Sequence, residues 1–172
     1  MSKLKSLSDL LLEELREIYN AENQLVKALP KMAEAAHSVG LQEAFEFHLQ
    51  ETKGHIRRLK SVFAMLRVKP VGKQCDAMEG LVLECEKMID GEGAPEVRDA
   101  GLIAAAQRIE HFEISAYGTA REFAATLGLV EIAALLQETL DEEGATDTIL
   151  TRLAKSINLA AVEEGQGLLM AW

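Results

Sequence analysis

Apolar residues recur along this chain at the three-and-four spacing of amphipathic helices, and a glutamate interrupts the apolar stripe of each long one or lies beside it. Leu11, Leu15, Ile18, Leu25, Leu29 and Met32 share one face, with Glu22 in their midst. Ser6 and Asp9 form a capping-box-like pair, so this first helix is predicted from Ser6 to about His37. Pro30 lies inside it and predicts a kink beyond Glu22. Val39-Gly40 makes a turn, and a second helix follows from about Leu41 to Arg67, stopping before Pro70. A shorter helix covers about Gln74 to Ile89, its apolar side formed by Met78, Leu81, Val82, Cys85 and Met88. Gly91-Glu92-Gly93-Ala94 breaks the pattern, and Pro95 opens a third long helix that reaches about Leu127. Gly128 turns the chain into a fourth, from Val130 to about Asn158. Residues 159–172 are expected to be a tail, whose last stretch, Gly165 to Trp172, is apolar but glycine-interrupted and reads either as a frayed end or as a segment that packs on a partner.

The interrupting glutamates carry the chemistry. Glu110 and Glu113 lie on the stripe of Ile103, Ala106, Tyr117, Ala120 and Ala124. Glu142 is placed on the stripe of Ile132, Leu135, Thr139, Ile149 and Leu153, and Glu51 lies beside the stripe of the second helix. A carboxylate taken into an apolar interior costs several kcal/mol unless it is paired or coordinates a metal. The alternative is a set of buried salt bridges, but Arg57, Arg58, Arg108 and Arg121 do not share these stripes. Short turns make hairpin partners antiparallel, so positions equidistant from a turn lie at one height. Glu22 then faces Glu51 and His55, while Glu110 and Glu113 face Glu138 and Glu142.

The two hairpins also echo each other, Val39-Gly40-Leu41-Gln42-Glu43 matching Leu127-Gly128-Leu129-Val130-Glu131. Related hairpins joined by a long crossover give the connectivity of a ferritin-like bundle, which places metals between carboxylates from all four helices. The expected fold is all-α: a ferritin-like antiparallel four-helix bundle over about residues 6–158, its long crossover carrying the extra short helix. The chain is read as one domain over residues 1–172, with candidate metal ligands Glu22, Glu51, His55, Glu110, Glu113, Glu138 and Glu142. His48, three residues before Glu51, is a further ligand or a partner to one. The pattern departs from Glu-x-x-His, because Gly54 and Ala145 stand three residues after Glu51 and Glu142.

Composition narrows the picture. A net charge of −10 in 172 residues argues against a nucleic-acid partner or an anionic membrane surface. No secretory signal or membrane-length apolar segment is visible, so a cytoplasmic location is expected. Cys75 and Cys85 are too far apart along one helix for a disulfide and read as small core residues in a reducing compartment.

Several stretches, in order, resemble the YciF/YciE family of bacterial stress-associated proteins. They are Asn20-Ala21-Glu22-Asn23-Gln24-Leu25, His48-Leu49-Gln50-Glu51-Thr52-Lys53-Gly54, Ala77-Met78-Glu79-Gly80-Leu81, Glu110-His111-Phe112-Glu113-Ile114 and Glu142-Glu143-Gly144-Ala145. The resemblance covers about Leu7 to Leu153. It implies a cytoplasmic homodimer with a rubrerythrin-like site for two metal ions, iron or manganese, held by Glu22, Glu51, Glu110, Glu113 and Glu142. It supplies no reaction. A di-metal carboxylate site suits chemistry on dioxygen or peroxide, with electrons from an unidentified donor, since no Cys-rich redox module is present. A non-catalytic metal-binding or structural helical dimer is the alternative, and an iron-storage cage the third reading.

Overall fold

The computed structural model describes the backbone of residues 4–169 and the side chains of residues 4–162. Five helices follow in chain order: α1 (Leu7–Ala35), α2 (Val39–Met65), α3 (Asp76–Asp90), α4 (Pro95–Thr126) and α5 (Val130–Leu169). No strand occurs among the described residues. The four long helices close a ring in which α1 packs on α2, α2 on α5, α5 on α4 and α4 on α1. The short α3 lies outside the ring, against α1 and α4.

Local signals explain the boundaries. The Ser6 hydroxyl accepts the Asp9 N–H at 3.1 Å, and the Asp9 carboxylate accepts the Lys5 N–H at 3.0 Å, which caps α1. The helix continues through Pro30 without a break. The C-terminal ends of α2 and α4 both close in Schellman turns: Val68 N–H bonds Phe63 C=O and Arg67 N–H bonds Ala64 C=O, and Leu129 and Gly128 repeat the arrangement on Ala124 and Ala125. The left-handed residue is Gly128 (φ 72°) in the second case, where glycine is the favoured residue, and Arg67 (φ 57°) in the first.

Two expectations need correction here. Helix α5 does not stop at Asn158 but continues to Leu169, because Leu159 to Glu164 favour helix and the later glycines are tolerated at about 1 kcal/mol each. Residues 170–172 of the anticipated tail lie outside the described residues. The buried face of α5 is also rotated by one residue from the expected stripe. Ile132, Leu136, Thr139, Glu143, Thr146 and Leu150 are buried, whereas Leu135, Glu142, Ile149 and Leu153 are only half-buried. Both stripes pass through Ile132 and Thr139, and Leu135-Leu136 and Ile149-Leu150 offer an apolar residue to either. Packing against α2 and α4 selects between them.

Two apolar clusters fill the ring. Leu25, Leu29, Met32, Phe45, Leu102 and Leu150 pack toward one end together with α3. Leu11, Leu15, Leu59, Phe63, Tyr117 and Leu136 pack toward the other. Buried polar side chains lie between, in a layer sealed above and below by apolar packing. The crossover between α2 and α3 is laid along α1: Lys73 N–H bonds Arg16 C=O, Cys75 N–H bonds the Asn20 side chain at 3.0 Å, and Gln24 donates to Cys75 C=O at 3.2 Å. Asn20 and Gln24, in the motif around Glu22, therefore anchor the segment that carries α3.

Asp99 has a different task. It is buried, and its two oxygens accept the N–H groups of His37 (2.8 Å) and Ser38 (2.7 Å) where α2 begins without a side-chain cap of its own. Asp99→Ala strands two donors and is expected to lower stability by about 2–3 kcal/mol in urea unfolding. Asp99→Asn keeps one acceptor and should lose less.

Candidate metal centre

Six titratable side chains meet in the polar layer, each placed by the inward stripe of its helix. Glu22 comes from α1, His48 and His55 from α2, Glu110 and Glu113 from α4, and Glu143 from α5. None of these six residues, taken whole, is more than 2% exposed. Two groups of potential ligand atoms form, each with its atoms within 4.8 Å of one another: His48, Glu110, Glu113 and Glu143, and Glu22, His55 and Glu143. Glu143 belongs to both and so stands where a bridging carboxylate would.

The two histidines share one design, two helical turns apart on α2. His48 turns Nε2 inward, 3.4 Å from Glu110 and 3.9 Å from Glu143, and Nδ1 outward, 3.6 Å from Glu51 and 3.4 Å from the Thr146 hydroxyl. His55 turns Nδ1 inward, 3.1 Å from Glu143 and 3.4 Å from Glu22, and Nε2 outward, 2.9 Å from Glu142. An imidazole with one nitrogen toward a cluster of acids and the other tied to an outer carboxylate is the arrangement by which proteins orient metal-binding histidines. Tyr117, buried with its ring edge-on to His55, donates its hydroxyl to Glu22 Oε1. That leaves Glu22 Oε2 as the unbonded oxygen.

Unpartnered atoms test whether a metal suits this donor set. Glu22 Oε2, His48 Nε2, His55 Nδ1, Glu110 Oε2 and both oxygens of Glu113 and of Glu143 are buried without an aligned hydrogen bond. Buried polar atoms are ordinarily satisfied, and here the unsatisfied ones converge on a common space. Carboxylate oxygens with two imidazoles form a hard donor set suited to iron or manganese. The residues fit the group.

Without a cation the layer retains protons. Burial, with repulsion from Glu143, holds the Glu110 and Glu113 carboxyls well above the usual carboxylate range, and burial raises Glu22 as well. Burial opposes charge on the imidazoles, yet the surrounding carboxylates outweigh it, raising His48 to about 9 and His55 to about 10. Burial and the neighbouring Glu22 carboxylate push the Tyr117 hydroxyl well up.

The remaining expected ligands stand elsewhere. Glu142 is corrected by the rotation of α5: it points to the α2/α5 seam with 36% of its side chain exposed, clasped by Arg58 through Nη1 (3.0 Å) and Nη2 (3.1 Å). Burial raises its pKa, but the Arg58 bonds hold it below the usual range. Glu138 is more exposed still and pairs with Arg58 Nε at 3.2 Å, so the structure does not bring it to the cluster. Glu51 is half-buried and accepts from Thr146 at 3.2 Å beside His48, rather than entering either group. Glu143 is the residue in the cluster that the expectation lacks, and His48, expected as a ligand or a partner to one, stands in the cluster with it. The signal for Glu143 lay in Glu143-x-x-Thr146, which carries half of a Glu-x-x-His pattern as Thr52-x-x-His55 carries the other.

An all-helical protein with a buried His/Glu cluster able to hold metal is thus defined by fold and site together. The chain belongs to the family described as a domain of unknown function, DUF892, which it matches over residues 6–163. It is 46% identical to the protein YciF of Escherichia coli (strain K12) over 154 residues, 88% of this chain and 92% of that protein. The crystal structure of that E. coli stress protein superimposes with a TM-score of 0.87, at 44% identity over 90% of this chain and 98% of the other. YcfI of Rhodopseudomonas palustris, for which a structural role has been suggested, gives 0.85 at 41% identity, covering 87% of this chain and 96% of its own. A Xanthomonas campestris protein shares the fold at 19% identity, with a TM-score of 0.73 over 94% of this chain and 99% of its own. Among the described residues no helix is long and apolar enough to cross a membrane.

Proposed function

We propose that this chain is a ferritin-like protein of the bacterial stress response that binds two metal ions, iron or manganese, and acts on peroxide or dioxygen. The observation that carries the reading is the convergence of unpartnered, fully buried ligand atoms from four helices on Glu143. His48, Glu110, Glu113 and Glu143 would hold one ion, and Glu22, His55 and Glu143 the other. Bound there, the pair would supply Lewis acidity and redox equivalents for oxygen chemistry. The chain's own part is to orient the ligands through Glu51, Thr146, Glu142 and Tyr117, and to keep bulk water out with the two apolar clusters. Kinship with an E. coli stress protein supports the physiological setting. The free, buried Cys75 and Cys85 are consistent with the cytoplasm, and the family resemblance with a homodimer.

A second reading has its own observation. Thr52 and Thr146 stand where a complete pair of Glu-x-x-His motifs would place further ligands, so the centre is poorer in donors than that pattern. A metal-stabilised structural dimer would need no more, and the suggested role of YcfI agrees with it. Elemental analysis of anaerobically purified protein decides on the metal: about two Fe or Mn per chain is expected, with loss in Glu113→Ala and retention in Glu138→Ala. Peroxide turnover by the loaded protein then separates enzyme from scaffold. A wild type that stays metal-free after incubation with Fe(II) or Mn(II) overturns both readings.

A further inference from the structure

The two outward ends of the buried site are unlike. At one end Glu142 is clasped by both terminal nitrogens of Arg58, whose Nη1 also bonds Thr139 at 2.6 Å and whose Nε pairs with Glu138. The carboxylate charge there is already matched, and the guanidinium repels an approaching cation. At the other end Glu51 has only Thr146 and His48 beside it, and no lysine or arginine pairs with it among the described residues. Its side chain is 18% exposed, while the His48 side chain behind it is 3% exposed and carries an unpartnered Nε2 facing Glu110 and Glu143. The α1 and α4 side is covered over its α3 half by Cys75, Met78 and Cys85, all buried. The uncovered half of that groove has a small cavity lined by Glu14, Glu17, Ile18 and Phe112, but buried Ile18 and Tyr117 stand beneath it.

We propose that divalent cations reach the buried site past Glu51, which captures the ion at the α2/α5 surface and passes it to the His48 group, while Arg58 closes the Glu142 end. This inference rests on the metal-binding reading above. A single unneutralised carboxylate at the edge of a low-dielectric interior attracts cations to that edge and raises the rate of their capture. Glu51 does so without being a resident ligand, so it governs how fast the site fills rather than how many ions it holds.

Uptake of Mn(II) by metal-free protein, followed as loss of the free-ion EPR signal after rapid mixing, tests this. Glu51→Gln should fill about tenfold more slowly than wild type, the lower end of the range for field focusing, and reach the same final stoichiometry. Glu51→Asp should recover part of the rate. Glu14→Gln, in the rival groove, and Arg58→Lys, which keeps the positive charge, should not slow it. Wild-type uptake in Glu51→Gln, a loss of stoichiometry in that variant, or slowing in Glu14→Gln would each overturn the route. No Mn(II) and no Fe(II) bound by wild type at equilibrium would instead overturn the metal-binding reading on which it rests.

Discussion

Glu143→Gln is expected to abolish binding of both metal ions and to leave a metal-free protein that is less stable than the metal-free wild type. Glu143 is the one side chain common to both ligand groups, so its loss removes a donor from each and the bridge between them. The same residue is fully buried, and neither of its oxygens has an aligned hydrogen bond. It raises the proton affinity of Glu110 and Glu113 by repulsion. Its carboxylate also lies 3.1 Å from His55 Nδ1 and 3.9 Å from His48 Nε2. Removing one partner of a buried charge pair commonly costs about 3–5 kcal/mol, and about 2 kcal/mol is expected here because the repulsion on Glu110 and Glu113 is relieved in exchange. Calorimetric melting of chelator-treated wild type and variant measures the loss; added Mn(II) should raise the melting temperature of the wild type alone. Glu142→Gln separates the two effects. It keeps both ions, because Glu142 lies outside both groups, and it loses stability through Arg58 and His55. A Glu143→Gln protein that still binds two ions would remove Glu143 from the bridge.

The contrast between these adjacent glutamates shows how far the sequence could be read. Helices with caps, prolines and glycines at their ends were legible, since Ser6, Pro95 and Gly128 act through local backbone chemistry. The acids of α1 and α4 were legible because their apolar stripes have one phase: no neighbour of Glu22, Glu110 or Glu113 could take the inward position without turning the whole stripe outward. Helix α5 has no such uniqueness. Leucine and isoleucine pairs flank both candidate phases, and Asp141-Glu142-Glu143 offers a carboxylate to each. The phase is fixed by contacts with α2 and α4, which lie far away in sequence. One internal clue points to the observed phase: a constant offset of 88 residues carries Glu22 to Glu110, Gly40 to Gly128 and His55 to Glu143. The outward roles of Glu51 and Glu142 were not legible at all, because they depend on which nitrogen of each histidine faces inward.

Raising the pH should destabilise the metal-free protein through the range where most proteins are indifferent, and bound metal should cancel the effect. Against the opposition of burial, the surrounding carboxylates raise His48 to about 9 and His55 to about 10 from an unfolded value near 6.5, and Glu22, Glu110 and Glu113 are raised too. In every case the folded state binds protons that the unfolded chain has released. Stability changes with pH as the unfolded minus the folded proton count, so its slope is negative here. The histidine contribution is fully present below about pH 6.5 and is lost as pH rises through about 9 for His48 and about 10 for His55. Each extra bound proton is worth up to about 1.4 kcal/mol per pH unit across that window. A metal must displace the same protons to reach His48 Nε2 and His55 Nδ1, so its apparent affinity rises with pH while the stability of the empty protein falls. Displacing one imidazole proton per ion makes each affinity climb by about one decade per pH unit below pH 9, before any carboxyl proton is counted. Titration calorimetry with Mn(II) in two buffers of different ionisation enthalpy counts the protons released, and melting curves between pH 6.5 and 9.5 follow the stability. A metal-free melting temperature that stays level over that range, with no proton release on binding, would mean that the empty site holds no protons beyond those of the unfolded chain, on histidine or carboxyl.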